Sequence, residues 1–200
     1  MFTNTELNIM ELLLSDLTTD YSIRDISHEL RQNYSIIHST IKRMGQKGYI
    51  KLRRAGNTIL CKANINQYNF IYLVAEEKIK QRAINRSKII KGIDRESKNL
   101  GTAQYTLILF GSYAENKEKK KSDIDLLLIL PEYADAEQFE KQFKTALILY
   151  EDKLDINIVA EKSMFEMWSK PNELNVANEI LKNHILLNGA ESYYKLLAKK

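Results

Sequence analysis

The chain has 200 residues, of which 44% are hydrophobic and 28% are charged, and its formal net charge is +4. This composition is typical of one large or two small globular domains and excludes a largely disordered chain. No apolar run approaches the length of about eighteen residues that a membrane span needs, and the N-terminus lacks the basic region of a signal peptide. The one cysteine, Cys61, has no internal disulfide partner, which suits a reducing cytoplasm. Together these features lead us to expect a cytoplasmic protein with no membrane contact.

Residues 1–66 have the pattern of three helices followed by a β-hairpin. Ser22 precedes Asp25 by three residues, which is a capping-box spacing. Two alternating strands then flank turn residues 53–57. The candidate N-caps of the three helices are, in chain order, Thr3 or Thr5, Ser22, and Asn33 or Ser35. This unit resembles the winged helix-turn-helix of many prokaryotic regulators, in which the third helix enters the major groove of DNA.

A basic surface is predicted on the third helix and the hairpin, because no Asp or Glu occurs between Glu29 and Glu76. We expect its serine and histidine side chains to reach base edges and its cationic side chains to contact phosphates. A solvated basic surface and a protein-docking module are the alternatives. The candidate DNA-binding residues are Ser35, His38, Ser39, Lys42, Arg43, Arg53 and Arg54.

Residues 67–99 are predicted to form a connecting helix with a break at Gly92. Apolar residues between Tyr68 and Ile93 recur near helical spacing and form one stripe. This stripe would either support a homodimer, which suits a palindromic DNA site, or pack onto the chain's own two domains.

Residues 107–130, LILFGSYAENKEKKKSDIDLLLIL, contain the strongest chemical signal. Two apolar runs predict buried strands, with Gly111 and Ser112 at the end of the first and Asp123 and Asp125 at the start of the second. Alternation places both carboxylates on one face, roughly 6–7 Å apart at their Cβ atoms. Glycine allows close backbone approach, and Ser112 suits the N-cap of a short helix whose free N–H groups bind an anion. The pattern predicts a nucleoside triphosphate site, with a phosphate-binding turn opposite metal-binding carboxylates.

The segment GSYAENKEKKKSDIDLLL resembles the signature of the minimal nucleotidyltransferases of the DNA polymerase β-like superfamily. The resemblance extends from about Leu100 to the C-terminus. Many members carry Arg-Gly where this chain has Glu115 and Asn116; Asn tolerates positive φ, so we expect the turn to be retained without the contacts of the arginine.

The resemblance also implies which residues bind the ligands. Gly111 and Ser112 would bind the nucleotide, and Asp123 and Asp125 would hold Mg²⁺ or Mn²⁺. The third carboxylate is assigned to Asp155 on the strand LDINIV, ahead of Asp152 in the preceding loop. The remaining elements are predicted as strands 104–110, 124–130 and 154–159, a helix at 135–150, and two or three helices in 161–200.

The predicted fold class is α+β: a winged helix-turn-helix at 1–66, a connecting helix at 67–99, and a nucleotidyltransferase domain with a small mixed sheet flanked by helices at 100–200. The resemblance implies transfer of a nucleoside monophosphate, by default AMP from ATP, to an acceptor hydroxyl. Family members often act as antitoxins that modify a HEPN-type toxin, and a DNA-binding module would add autoregulation. The alternatives are a DNA-binding regulator whose transferase-like domain only binds nucleotide or a protein partner, and a transferase acting on RNA or a small molecule.

Overall fold

The computed structural model describes residues 1–98, 100 and 104–200. The predicted end of the connecting helix, residue 99, lies outside the described residues. Within them the fold is α+β, with a three-stranded sheet near the N-terminus and a four-stranded sheet in the second half. In the described part of the chain, no helix is long and apolar enough to cross a membrane. The N-terminal elements are α1 (Asn4–Ser15), β1 (Tyr21–Ser22), α2 (Ile23–Glu29), α3 (Tyr34–Gln46), β2 (Ile50–Ala55) and β3 (Thr58–Ala63).

Side-chain caps begin all three N-terminal helices, as the sequence predicts. Thr3 and Glu6 form a reciprocal capping box at α1, Ser22 and Asp25 form another at α2, and Asn33 caps α3. Each cap satisfies backbone N–H groups that have no partner inside the helix. The predicted hairpin is β2–β3, and the unpredicted strand β1 adds to β3 on its other side.

The predicted connecting helix is two helices, α4 (Phe70–Arg86) and α5 (Lys88–Ser97). The break lies at Ser87, whose hydroxyl caps α5 by accepting a hydrogen bond from the Ile90 N–H. The predicted break at Gly92 is wrong, because Gly92 lies inside α5. A Cβ there would come within 2.8 Å of the Tyr150 ring, so this glycine permits close packing instead of ending a helix.

The apolar stripe of this segment packs within the chain. Ile71, Tyr72 and Ala75 of α4 are buried in a core shared with α1, whereas Ile90 and Ile93 of α5 are buried in a second core. These buried side chains are not available as a dimer interface. The alternative prediction, packing onto the chain's own two domains, is the observed one.

The second sheet has the strand order β6-β5-β4-β7, in which β5 and β6 are parallel and the other pairs are antiparallel. Its strand β7 was not predicted. The predicted helix at 135–150 ends earlier and continues as a 3₁₀ turn at Ile148–Lys153. The elements of this half are β4 (Thr106–Phe110), α6 (Gly111–Ala114), β5 (Ile124–Leu130), α7 (Ala136–Ala146), β6 (Leu154–Ala160), α8 (Glu161–Trp168), α9 (Val176–Lys182), β7 (Ile185–Asn188) and α10 (Ala190–Leu197).

A hydrophobic core lies on each face of this sheet. Leu127 points into the core that includes α1, α4 and the C-terminal helices, and its neighbour Leu128 points into the core that includes α5 and α7. Because side chains alternate along a strand, Asp125 lies on the face of Leu127. The carboxylate at the start of β5 therefore faces the side of the sheet that the C-terminal helices cover.

Candidate active site

The C-terminal end of β4 and the N-terminal ends of β5 and β6 lie together at one end of the second sheet. Phe110 at the end of β4 is paired with Asp125 on β5, and Asp125 is paired with Asp155 on the parallel strand β6. This register places Gly111, which follows Phe110, beside Asp125, with Asp155 on the next strand beyond it. The structure thus brings together three residues, the outer two of which lie 44 positions apart in sequence.

The backbone at Gly111 requires glycine for two reasons. Its φ is +62°, a left-handed value that favours glycine. A Cβ at this position would lie 2.9 Å from Cγ and 3.3 Å from Cβ of Asp125, which is too close for a side chain. The missing side chain leaves room for the carboxylate of Asp125.

Ser112 does not occupy the N-cap position that the sequence suggests. Phe110 is the N-cap of α6 and provides no side-chain cap, while Ser112 is the second residue of the helix and is half-buried. Ser112 lies inside the helix because β4 ends at Phe110 and α6 begins at the next residue, Gly111. Asn116 adopts a φ of +56°, so the turn expected there is confirmed.

Burial and neighbouring negative charges raise the pKa of Asp125 above its usual range. Burial is the largest cause, followed by the charges of Asp155, Glu179 and Asp123 in that order. Each neighbouring carboxylate disfavours a second negative charge at the same edge. The site therefore carries an excess of negative charge that a cation would relieve.

Glu179 was missed by the sequence reasoning. It lies on α9, which packs on the side of the sheet that Asp125 faces, and its side chain is exposed. In the sequence it sits within VANEILK, where an acid looks like part of a solvated helix face. No local signal distinguishes it, since only the packing of α9 brings it near Asp125.

Asp155 lies on an outer strand of the sheet. β6 has a neighbouring strand on one side only, and the Asp155 side chain is exposed. Its charge is solvated and needs no partner to be tolerated. Asp123, one residue before β5, is exposed as well, so both carboxylates are accessible to a ligand from solvent.

The residues fit a hard divalent cation that is shared with a substrate. Among the described residues, no group of three or more His, Cys, Asp or Glu side chains is arranged to hold a metal ion by itself. Mg²⁺ is often bound by one or two carboxylates together with substrate phosphates, which does not need a complete protein cage. The paired positions of Asp125 and Asp155 and the raised pKa of Asp125 match that mode.

All seven candidate DNA-binding side chains are exposed, but several have partners within the chain. Arg43 lies 3.3 Å from the buried carboxylate of Glu6, and Arg53 lies 2.7 Å from Asp20. The hydroxyls of the two candidate serines donate to Asn33 and to a carbonyl of their own helix. Within the described residues, Lys42 makes no ion pair, so its ammonium group is the cation of this face that is most available to a ligand.

Comparison with known proteins gives one distant structural likeness and one family match. No curated protein matches this chain. A solved structure described as a crystal structure of a toxin-antitoxin with AMP-PNP is similar at 18% identity, with a TM-score of 0.35; the likeness covers 55% of this chain and 80% of that one. The family model of the nucleotidyltransferase domain matches residues 86–187, about half of the chain and all five candidate site residues, so the chain belongs to the nucleotidyltransferase domain family.

Proposed function

We propose that this protein is a metal-dependent nucleotidyltransferase that moves a nucleoside monophosphate, AMP from ATP by default, to an acceptor hydroxyl. The observation that carries the proposal is the register that pairs Asp125 with Asp155 beside the glycine turn at Gly111. A phosphate-binding turn and exposed carboxylates at one sheet edge suit a nucleoside triphosphate with its cation.

In this proposal Asp123, Asp125 and Asp155 hold Mg²⁺ or Mn²⁺. The cation supplies Lewis-acid activation of the acceptor hydroxyl and charge neutralisation of the pyrophosphate. The Asp125 carboxylate lies against the phosphate-binding turn, so its negative charge attracts the cation and opposes phosphate binding until the cation neutralises it. Ionised Asp125 is the form that binds, and its raised pKa means that cation binding releases a proton when the site is partly protonated.

The turn at Gly111 and Ser112 would hold the β- and γ-phosphates. Its backbone N–H groups and the Ser112 hydroxyl donate hydrogen bonds to phosphate oxygens and fix the α-phosphorus near the carboxylates. The acceptor oxygen then forms a bond to the α-phosphorus while the bond to the bridging oxygen of the β-phosphate breaks. The products are a nucleotidylated acceptor, pyrophosphate and a proton.

We further propose that the unit from α1 to β3 is a winged helix that binds DNA through α3 and the β2–β3 hairpin. Support comes from the order of its elements and from the exposed basic side chains of α3. A second candidate function follows from the same surface: a DNA-binding regulator whose nucleotidyltransferase domain only binds nucleotide or a protein. The internal pairing of Arg43 and Arg53 limits the number of free cations on this face.

A protein hydroxyl is the acceptor that the family resemblance implies, with a HEPN-type toxin as the partner. In that case the winged helix would regulate the operon that encodes both proteins. The resemblance alone supports this part of the proposal, and co-purification of the protein with the product of an adjacent gene would test it.

The experiment for the proposed function is incubation with Mg²⁺ and each α-labelled nucleoside triphosphate, with and without cell extract. We expect label on one macromolecular or small-molecule species and release of pyrophosphate. Specific DNA binding without label transfer from any of the four nucleotides would instead favour the regulator.

A further inference from the structure

A cavity of about 470 Å³ lies between the N-terminal helices and the nucleotidyltransferase domain. Helix α1 contributes Glu11 and Ser15 to its wall, α4 contributes Arg82 and Arg86, and the segment before β7 contributes His184. This volume is within the range of about 300–1,000 Å³ that is usual for small-molecule sites. The cavity is separate from the carboxylates at the sheet edge, none of which lines it.

Positive charge exceeds negative charge on the wall of this cavity. Arg82 and Arg86 lie four residues apart on α4 and so project from one face of the helix. The single carboxylate of the wall, Glu11, lies 2.6 Å from Lys78 and also pairs with one nitrogen of Arg82, whose other guanidinium donors remain for a ligand. Arg86 donates to the carbonyl oxygen of Tyr113, which leaves other guanidinium donors for a ligand.

His184 is a buried polar side chain on the same wall. Its side chain is 1% exposed, and neither ring nitrogen has a hydrogen-bond partner among the described residues. The nearest charged group is the Glu76 carboxylate, 3.5 Å from Nε2. Buried polar groups are normally hydrogen-bonded, so an imidazole without a partner beside a cavity points to a polar ligand.

The rest of the wall includes apolar surface from both halves of the chain. Leu12 and Leu30 belong to the N-terminal helices, Ile79 belongs to α4, and Ile185 starts β7. A wall of this kind suits a flat or weakly polar group. The cavity therefore combines two guanidinium groups, an apolar surface and an imidazole that makes no hydrogen bond and has the Glu76 carboxylate 3.5 Å away.

We propose that this cavity binds a small organic phosphate of the size of a nucleoside monophosphate. The phosphate lies against Arg82 and Arg86, because guanidinium groups bind phosphate oxygens in pairs. The remainder of the ligand packs on the apolar wall and offers a hydrogen bond to His184. This site is additional to the proposed transferase site. Its occupant touches α1 on one side and, through Ala114, the active-site helix α6 on the other.

Calorimetric titration of the full chain tests the proposal, with AMP, adenosine and inorganic phosphate as probes in buffer containing EDTA. Removing divalent cations suppresses binding at the carboxylates, and the variant Asp125→Asn removes that site further. The cavity variants are Arg82→Gln, which removes a guanidinium, and Ser15→Trp, which fills the rim without changing charge. Lys141→Gln is the matched control, because it removes one exposed positive charge that does not line the cavity.

We expect saturable AMP binding by the wild type, Asp125→Asn and Lys141→Gln, with affinity reduced about tenfold or more in both cavity variants. Inorganic phosphate should compete weakly, and adenosine should bind less tightly than AMP. The proposal is overturned by absence of AMP binding, by equal binding in the cavity variants, or by adenosine binding as tightly as AMP. Loss of AMP binding in Asp125→Asn would assign the ligand to the transferase site and also overturn it. Because no transfer is measured, these outcomes are independent of whether the protein is a transferase.

Discussion

The backbone of Gly111 lies directly against the side chain of Asp125, so that a Cβ at position 111 would be 2.9 Å from Cγ of the carboxylate. The contact links the end of β4 to the start of β5, two strands that are paired at this point. It explains why a glycine and an aspartate fourteen positions apart belong to one structural unit. The mutual position of the proposed phosphate turn and the proposed cation ligand depends on this contact.

Replacing Gly111 by alanine should therefore reduce nucleotidyl transfer as well as destabilise the backbone. Gly111→Ala is expected to reduce transfer by about 100-fold, because Asp125 must move to admit the methyl group. Gly56→Ala in the β2–β3 hairpin is the matched control: its φ is +59°, and a Cβ there meets nothing within 4 Å. Both variants should lose roughly 1–3 kcal/mol from the left-handed backbone, measured by urea denaturation. Equal transfer by the two variants would contradict the role of this contact.

The raised pKa of Asp125 predicts a pH-dependent cost in stability. Because the folded-state pKa lies above the unfolded value of 3.8, the folded state binds more protons, and stability falls as pH rises through this interval. Asp125→Asn should thus raise Tm at pH 7, because it removes the cost of ionising this carboxyl in the folded state, and have no effect below pH of about 3. The half-buried carboxylate is partly screened, so we expect a gain below about 1 kcal/mol.

Asp152→Asn is the control for this stability effect. Asp152 is an exposed acid three residues before Asp155, in the 3₁₀ turn that precedes β6. Its replacement should leave Tm unchanged across the same pH range. A lower Tm for Asp125→Asn at pH 7 would mean that the negative charges at the sheet edge do not repel one another.

The sequence predicts local features of this fold well and packing features poorly. The N-caps Thr3, Ser22 and Asn33 follow from spacing within a few residues, as does the strand that begins beside Asp125. Strand β7 was missed because its three apolar residues show no alternation and only two residues separate it from α9. Its partner β4 is more than seventy residues away, so no local pattern shows the pairing.

For the candidate site, too, the sequence predicts the local features and not the packing. The types and positions of Gly111, Asp125 and Asp155 are visible in the sequence, and the strand register places them at one end of the sheet. The proximity of Glu179 and the edge position of β6 depend on how α9 and the sheet pack. Such relationships are set by contacts between distant segments. The periodicity of helices and strands in the sequence carries no information about those contacts.

The buried acid Glu6 should stabilise the N-terminal unit in a pH-dependent manner. Burial opposes its ionisation, but hydrogen bonds from Thr3 and Lys47 outweigh that cost and lower the pKa of Glu6 to about 2. Since this value lies below the unfolded value of 4.5, the stabilisation is complete above pH 4.5 and is lost as pH falls toward 2. Glu6→Gln should cost ~1–2 kcal/mol at pH 7, because the amide oxygen can still accept the capping hydrogen bond but the ion pairs with Arg43 and Lys47 are lost.

Thermal unfolding at pH 7 and at low pH measures this effect. Glu29→Gln is the control, since Glu29 is exposed at the end of α2 and its loss should change Tm little. A Glu6→Gln deficit that is the same at pH 7 and pH 2.5 would show that the charge of Glu6 is not the source of the stabilisation.

DNA binding, if it occurs through α3, should depend on Lys42. A side chain that contacts a phosphate contributes about one unit to the slope of log K against log salt concentration. Lys42→Gln should reduce the affinity for duplex DNA, and it should reduce the magnitude of this slope by about one unit. Fluorescence anisotropy at several salt concentrations measures both quantities. Lys141→Gln, on α7, should bind DNA as the wild type does. Identical slopes for wild type and Lys42→Gln would place DNA contacts elsewhere or remove them.

The most direct measurement of the central claim is transfer of label from α-labelled ATP in the presence of Mg²⁺, in the cell extract that provides an acceptor. Asp125→Asn and Asp155→Asn should each abolish transfer while retaining the wild-type circular dichroism spectrum, and Asp152→Asn should transfer as the wild type does. Wild-type transfer by Asp125→Asn, or loss of transfer only in Asp152→Asn, would contradict a catalytic site at the paired ends of β5 and β6.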